Sequence, residues 1–310
     1  MTRENPRNMA ASVRQRLMNK AKQQKEDFGL VLTRYGLERL LYRLSQSRHR
    51  DQFILKGAML FQLWSGHVHR PTRDLDLLGY GDPAPERFQE ILRDICGLDV
   101  EDDGLEFHAE SVHAERMKED EEYQGLRIKL QATLAPARIP IQIDIGFGDA
   151  INPGPNEVTY PTLLDLPAPT LKAYPRETVV AEKFQAMVML GIANSRMKDF
   201  YDVWTLARQF EFSGSVLCSA LRGTFQRRKT ALPEQPPLAL TTEFTEDRQK
   251  LTQWRAFVRK SKLDAEGTEL TGIAESLRGF LMPPTDALVA GADFEMDWLP
   301  NGPWQARIEP

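Results

Sequence analysis

The sequence predicts an α+β protein in two lobes, a mixed β-sheet flanked by helices followed by a mainly helical C-terminal half. Three observations predict it. Apolar residues alternate with polar ones around Leu75, from Ile128 to Leu134 and from Ile139 to Ile145, the period of a half-buried strand. Apolar residues recur at helical spacing from Phe28 to Ser45 and again after Pro175. Between these patterns, residues 152–169 are rich in Pro, Gly and Asn, which marks a domain boundary.

The chain has 310 residues, enough to bury a substantial core and form two domains. Its net charge of -4 points to no particular partner. Cys96 and Cys218 lie far apart without C-x-x-C spacing, so neither a disulfide framework nor a zinc site is expected, and both read as small core residues. No apolar run reaches the roughly 18 to 20 residues that cross a bilayer, and the N-terminus has no signal-peptide core. A cytoplasmic protein with no membrane partner is expected.

Residues 1–50 read as N-terminal helices. From Met1 to Lys25, seven Lys or Arg stand against Glu4 alone, and Val13, Leu17 and Ala21 form a thin apolar stripe. This suits a surface helix whose charge meets nucleic-acid phosphates or simply water. The next helix, Phe28 to Ser45, carries Leu30, Tyr35, Leu37, Leu40, Leu41 and Leu44 at helical intervals.

Phe53-Ile54-Leu55 then enters Lys56-Gly57, a helix-like segment follows from Ala58 to Trp64, and the chain returns as Arg70-Pro71-Thr72-Arg73-Asp74-Leu75-Asp76-Leu77. On a strand Asp74 and Asp76 share one face and the leucines the other. Two carboxylates roughly 6 to 7 Å apart repel unless a cation or a shared proton lies between them, and Mg2+ suits such a pair. The other reading is a solvent-facing strand end. A strand, a glycine turn and a helix start together make a phosphate seat, because Gly allows close approach and the helix N-terminus favours an anion.

Pro83 to Cys96 reads as a helix ended by Gly97, and the acidic tracts at Asp99–Asp103 and Glu115–Glu122 as exposed loops or strand edges. Arg127 to Phe147 reads as a hairpin with Ala135-Pro136-Ala137-Arg138 as its connector. Its apolar face covers helices, leaving Arg127, Lys129, Gln142 and Asp144 opposite. Leu171 to Tyr174 adds a strand. Pro175 opens a helix containing Glu182 and Lys183, and Asn194-Ser195 supplies the N-cap of another, in which Asp199 and Asp202 share a face and Phe200, Val203, Trp204 and Ala207 are buried.

Residues 215–280 alternate helical patterns with proline-rich breaks such as 233–237. Two basic clusters, Arg227-Arg228-Lys229 and Arg255, Arg259, Lys260 and Lys262, suit either an RNA acceptor or helix C-termini. After Pro283 the tail, with Trp298 and Trp304, reads as irregular chain packed on the helical domain. No internal repeat is visible.

The order Lys56-Gly57, then Arg70-x-Thr72-x-Asp74-Leu75-Asp76, then Glu182-Lys183, then Arg196-x-Lys198-Asp199-x-x-Asp202 resembles the AbiEii/MenT toxin branch of the nucleotidyltransferase superfamily. The resemblance covers roughly Gln52 to Arg208. It implies a nucleotidyltransferase catalytic core over 51–165 and a helical domain over 170–310 that completes the nucleotide cleft. It also implies a third carboxylate on a strand beside the Asp74–Asp76 strand, for which Asp144 is the candidate; the alternative is a polar residue on an open sheet face.

By the same resemblance Asp74, Asp76 and Asp144 hold Mg2+, with Mn2+ as its substitute, and Lys56, Gly57, Arg70 and Thr72 face the phosphates of an NTP. Lys183 neutralises the triphosphate, while Asp199 and Asp202 order the basic groups Arg196 and Lys198 around the nucleotide. Without the family, Lys183 reads equally as a surface residue and the two Asp as a helix-start preference.

The implied function is transfer of NMP from NTP to an RNA acceptor, first of all a tRNA 3′ end, by the toxin of a type IV toxin-antitoxin or phage-defence system. Its antitoxin would be a transcriptional regulator acting without direct contact. Two departures stand out: Gly57-Ala58 replaces the common Gly-Ser, and Lys198 replaces Arg, which keeps the charge but loses the bidentate fork. The alternatives are transfer to a protein or small-molecule hydroxyl, and a non-catalytic module that binds nucleotide or nucleic acid.

Overall fold

A computed structural model describes residues 9–66, 69–117, 125–263 and 269–307. The chain divides into two compact units, Met1–Gly148 with Asn156–Ala173, and Asp149–Pro155 with Tyr174–Pro310. The architecture is α+β.

The first unit opens with α1 (Met9–Gln24), whose buried residues are the expected Val13, Leu17 and Ala21. Arg3, Glu4 and Arg7 of the basic segment lie outside the described residues. Helix α2 (Phe28–Gln46) starts where the Asp27 carboxylate accepts the Leu30 N–H at 3.0 Å. There follow β1 (Phe53–Lys56), α3 (Met59–Ser65), β2 (Asp74–Gly79) and α4 (Pro85–Cys96). The remaining strands are β3 (Leu105–Met117), β4 (Gly125–Leu134), β5 (Ala137–Phe147), β6 (Asn156–Thr159) and β7 (Thr170–Ala173).

Among the described residues these strands form one seven-stranded sheet in the order β3-β4-β5-β2-β1-β7-β6. It is mixed: β2 runs parallel to β5 and β1 parallel to β7, and the other neighbours are antiparallel. Leu75, Leu77, Ile128, Ile143 and Ile145 are all buried, with α2 packed on β5 and α4 on β3. Phe88 of α4 meets Phe53 of β1 and Phe147 of β5 edge-on, at centroid distances of 5.8 and 5.1 Å. The apolar layer therefore grips the strands that carry the polar face.

The first acidic tract departs from the expectation of exposed loops or strand edges at one residue. Asp99, Glu101 and Asp102 are exposed, but Asp103 is buried. It accepts from Arg39 Nε at 2.9 Å and from Arg43 Nη1 and Nη2 at 2.6 and 3.1 Å. A charge this deep is tolerated because it is paired and hydrogen-bonded. Burial pushes the Asp103 carboxyl up, and Arg43 and Arg39 together hold it below the usual carboxylate range.

Strand β3 is not marked by the sequence pattern; its register against β4 shifts between His108 and His113. Leu105 and Phe107 are buried before the irregularity and Val112 and Ala114 after it, so the alternation changes parity and the period-two signal cancels. Glu115 lies on this edge strand, while residues 118–122 of its acidic tract are outside the described residues.

The second unit contains α5 (Arg176–Leu190), with Pro175 as N-cap, α6 (Met197–Gln209), α7 (Gly214–Arg227), α8 (Thr242–Thr245), α9 (Arg248–Ser261) and α10 (Leu270–Ala290). The N-cap of α6 is Arg196 rather than Asn194-Ser195; the side chain of buried Asn194, two residues earlier, instead accepts the Arg196 N–H at 2.8 Å.

The tail also departs from expectation. Helix α10 continues through Pro283 and Pro284, and β8 (Phe212–Ser213), β9 (Met296–Trp298) and β10 (Trp304–Ala306) form a small sheet in the order β10-β9-β8. Pro284 has no N–H to offer the carbonyl four residues back, that of Phe280. The indole of Trp304 supplies one at 2.9 Å. Among the described residues no helix is long and apolar enough to cross a membrane.

Candidate active site

Strand register builds the site. Lys56 of β1 lies opposite Asp76 of β2, Asp76 beside Asp144 of β5, and Asp144 opposite Arg127 of β4. Partnered residues share a face of the sheet, so four strands present one row: cation, carboxylate, carboxylate, cation. Asp74, two residues before Asp76, faces the same way and partners Gln142. Each of Asp74, Asp76 and Asp144 is half-buried and offers an oxygen, and these three oxygens lie within 4.8 Å of one another.

Asp144 and Asp74 are held from outside the triad. Arg127 makes a bidentate grip on Asp144, Nε to Oδ1 at 2.8 Å and Nη2 to Oδ2 at 2.7 Å. The Asp144 carboxylate raises the pKa of Arg127 against the effect of its burial, and Asp74 adds to the rise. Gln142 Nε2 approaches Asp144 Oδ1 at 3.3 Å. The Thr72 hydroxyl donates to Asp74 Oδ1 at 2.7 Å, so its proton orients a carboxylate.

Gly57 closes the back of the row. Its φ of +77° favours glycine, and a Cβ there would meet Asp76 Cβ and Cγ at 2.6 Å and collide with Asp76 Oδ2. Three hard oxygen donors without a histidine or cysteine fit Mg2+ or Mn2+.

In the second unit, Lys183 of α5 donates to Asp199 Oδ1 at 2.5 Å and pairs with Asp202 Oδ2 at 2.9 Å, while Arg196 Nε donates to Asp199 Oδ2 at 2.6 Å. Both carboxylates are buried. Burial pushes Asp199 up, but Lys183 and Arg196 outweigh it and hold the carboxyl below its ordinary range. The motif residues Lys183, Arg196, Asp199 and Asp202 thus form one ionic cluster, and Lys198 in the first turn of α6 is exposed.

Residues 39–279 match the family described as nucleotidyl transferase AbiEii toxin, Type IV TA (toxin-antitoxin) system. The chain belongs to the AbiEii family. A comparison with curated proteins gives no match. Among solved structures, JHP933 from Helicobacter pylori aligns with a TM-score of 0.46 at 14% identity, covering 82% of this chain and 94% of that one. A candidate nucleotidyltransferase from H. pylori gives a TM-score of 0.46 at 16% identity, with 84% and 96% coverage.

The residue of this AbiEii protein that sequence reasoning left without a role is Arg127. The signal was present in the hairpin. A two-residue connection, Ala135-Pro136, places Leu134 opposite Ala137, and counting back along both arms brings Arg127 opposite Asp144. The four-residue connector read from the sequence shifts that pairing by two positions.

Asp149, the other acid near β5, lies outside the triad: Arg228 Nη2 holds its Oδ1 at 3.0 Å and also reaches Glu182 Oε2 at 3.4 Å. The central arginine of the Arg227-Arg228-Lys229 cluster therefore points into an ionic network of the second unit, where Arg228 Nη1 also donates to Gln185 at 2.9 Å.

Proposed function

We propose that this AbiEii nucleotidyltransferase moves an NMP group from an NTP to a hydroxyl of RNA, with a tRNA 3′ end as first acceptor, and acts in the cytoplasm as a toxin. Its antitoxin is then a separate regulator that need not touch it. The observation that carries the chemistry is the row Lys56, Asp76, Asp144, Arg127 with Asp74 one step along the strand. The acceptor class rests on family kinship.

Asp74, Asp76 and Asp144 would hold Mg2+, or Mn2+ in its place. When bound, the metal supplies charge neutralisation at the α-phosphate and pyrophosphate and favours loss of the acceptor hydroxyl's proton. Asp144, fixed by Arg127, serves the acceptor side and takes that proton on a carboxylate oxygen. The acceptor oxygen forms a bond to the α-phosphorus as the bond to the β-phosphate oxygen breaks, and pyrophosphate leaves. Lys56, the Gly57 amide, Arg70 and Thr72 are assigned to the phosphates. Lys183 and Arg196, oriented by Asp199 and Asp202, are assigned to the triphosphate charge together with Lys198.

The test incubates the protein with each labelled NTP, Mg2+ and total RNA, beside an Asp76→Ala variant. Label is expected in a tRNA-sized band with the unsubstituted chain, and at least about a hundredfold less with the variant, the scale of removing one preorganised electrostatic group. Label on protein would move the acceptor to that class. Absence of label with any NTP, despite Mg2+-dependent NTP binding, would defeat the reading.

A further inference from the structure

The solvent face of α9 carries a stripe of cations that the proposed site does not use. Arg248, Arg255, Arg259 and Lys262 follow one another at helical spacing, and all four are exposed. They run about 21 Å along the helix, at about 1.5 Å per residue. From Arg248 to Lys262 the sequence holds no Asp or Glu, in a chain whose net charge is -4. Among the described residues none of the four is ion-paired. The opposite side of α9 is the packed one, with Trp254 and Lys250 buried and the Lys250 ammonium donating to the Asn194 carbonyl at 3.0 Å.

Helix electrostatics accounts for only part of this pattern. Arg259 and Lys262 stand at the C-terminal end, where the dipole favours a cation. Arg248 stands in the first turn, where the dipole disfavours one, and Arg255 and Arg259 are like charges one turn apart. The stripe therefore costs the isolated helix stability at two places, and an extended polyanion laid along it would offset both.

We propose that the exposed face of α9 is the docking surface for the sugar-phosphate backbone of the acceptor RNA. Phosphate contacts of this kind position a strand without reading its sequence, so the surface serves affinity and placement. The proposal rests on the RNA-acceptor reading of the transferase, but it is read by binding alone, with no NTP present.

The experiment titrates a fluorescent 20-nucleotide single-stranded RNA, and in parallel bulk tRNA, with the full chain across a salt series. Two variants change α9, Arg255→Glu with Arg259→Glu, and Arg248→Glu. A charge-matched control changes exposed positions of the other basic helix, α1, as Arg16→Glu with Lys22→Glu. The α9 double variant is expected to bind at least about tenfold more weakly and to lose about 1.4 from the slope of log affinity against log salt, two phosphate contacts at about 0.7 each. NTP binding should not move.

Arg248→Glu places an acid where the helix dipole favours one, so its loss of RNA affinity cannot come from unfolding of the helix. Unchanged affinity and slope in the α9 variants would overturn the proposal, as would a loss confined to the α1 control. Displacement of RNA by polyglutamate at equal charge concentration would also overturn it, in favour of an acidic protein partner. Docking along α9 without any transfer of label would leave this inference standing and remove the transferase reading instead.

Discussion

Gly57 and Asp76 set the tolerance of the site at the scale of single residues. A side chain at 57 meets two penalties at once, the left-handed backbone and the space already filled by the Asp76 carboxylate. Gly57→Ala is expected to cost about 1–3 kcal/mol, the range for a non-glycine residue held in a sparsely populated conformation, and to reduce nucleotidyl transfer further because Asp76 must move. Gly66 is the natural control: its φ is +74°, yet among the described residues nothing lies within 4 Å of the Cβ it lacks. Denaturant midpoints and transfer rates of the two alanine variants, measured side by side, separate backbone strain from displacement of the carboxylate. Equal activity in both would show that Asp76 does not need the space beside Gly57.

At the scale of elements, α10 survives two consecutive prolines because a distant strand repairs it. The Trp304 indole donates to the Phe280 carbonyl, whose intrahelical donor is lost at Pro284, and the Trp298 indole donates to the Ala207 carbonyl in the last turn of α6 at 2.7 Å. The tail is thus a pair of clamps on helix carbonyls, stacked through Phe280 and Trp304 at 5.8 Å. Trp304→Phe keeps an aromatic ring, though a smaller one, and removes the donor, and should destabilise by at least about 1–3 kcal/mol, the cost of an unsatisfied buried acceptor. Pro284→Ala in that background returns a backbone N–H to the same carbonyl. Thermal or urea unfolding of the double variant should recover part of the loss, and failure to recover any would assign the loss to ring packing.

At the scale of the folded unit, stability depends on pH through groups of opposite sign. Glu38 of α2 is buried and accepts the Leu163 N–H at 2.6 Å; burial pushes its carboxyl from 4.5 up to about 7, against Leu163, Arg39, Arg34 and Lys20. Its folded pKa exceeds its unfolded one, so its stabilising contribution is full below the unfolded value and is lost as pH rises through about 7. The expected loss is about 3 kcal/mol. Asp103 and Asp199 are held low, so theirs is present above the ordinary carboxylate range and lost on acidification. Unfolding midpoints of the unsubstituted chain should fall between about pH 5 and pH 8, and those of Glu38→Gln should fall much less. Parallel curves for the two proteins would exclude Glu38 as the titrating group.

The amino-acid sequence by itself determined the elements whose signal is local. Periodicity marked α1, α2, α5, α6 and the β4–β5 hairpin, and D-x-D on a strand put Asp74 and Asp76 on one face, because side-chain direction follows from backbone geometry alone. Only the tertiary structure decided what depends on residues far apart in the chain. The parallel pairing of β2 with β5 set Asp144 beside Asp76, and the two-residue turn set Arg127 against Asp144. Asp103 entered the core because Arg39 and Arg43 wait there, β3 hid behind its own irregularity, and α10 ran on past Pro284 because an indole twenty residues away takes the carbonyl proline cannot serve. In each case a polar group or a strand found its partner through space, and no local pattern records a partner that distant.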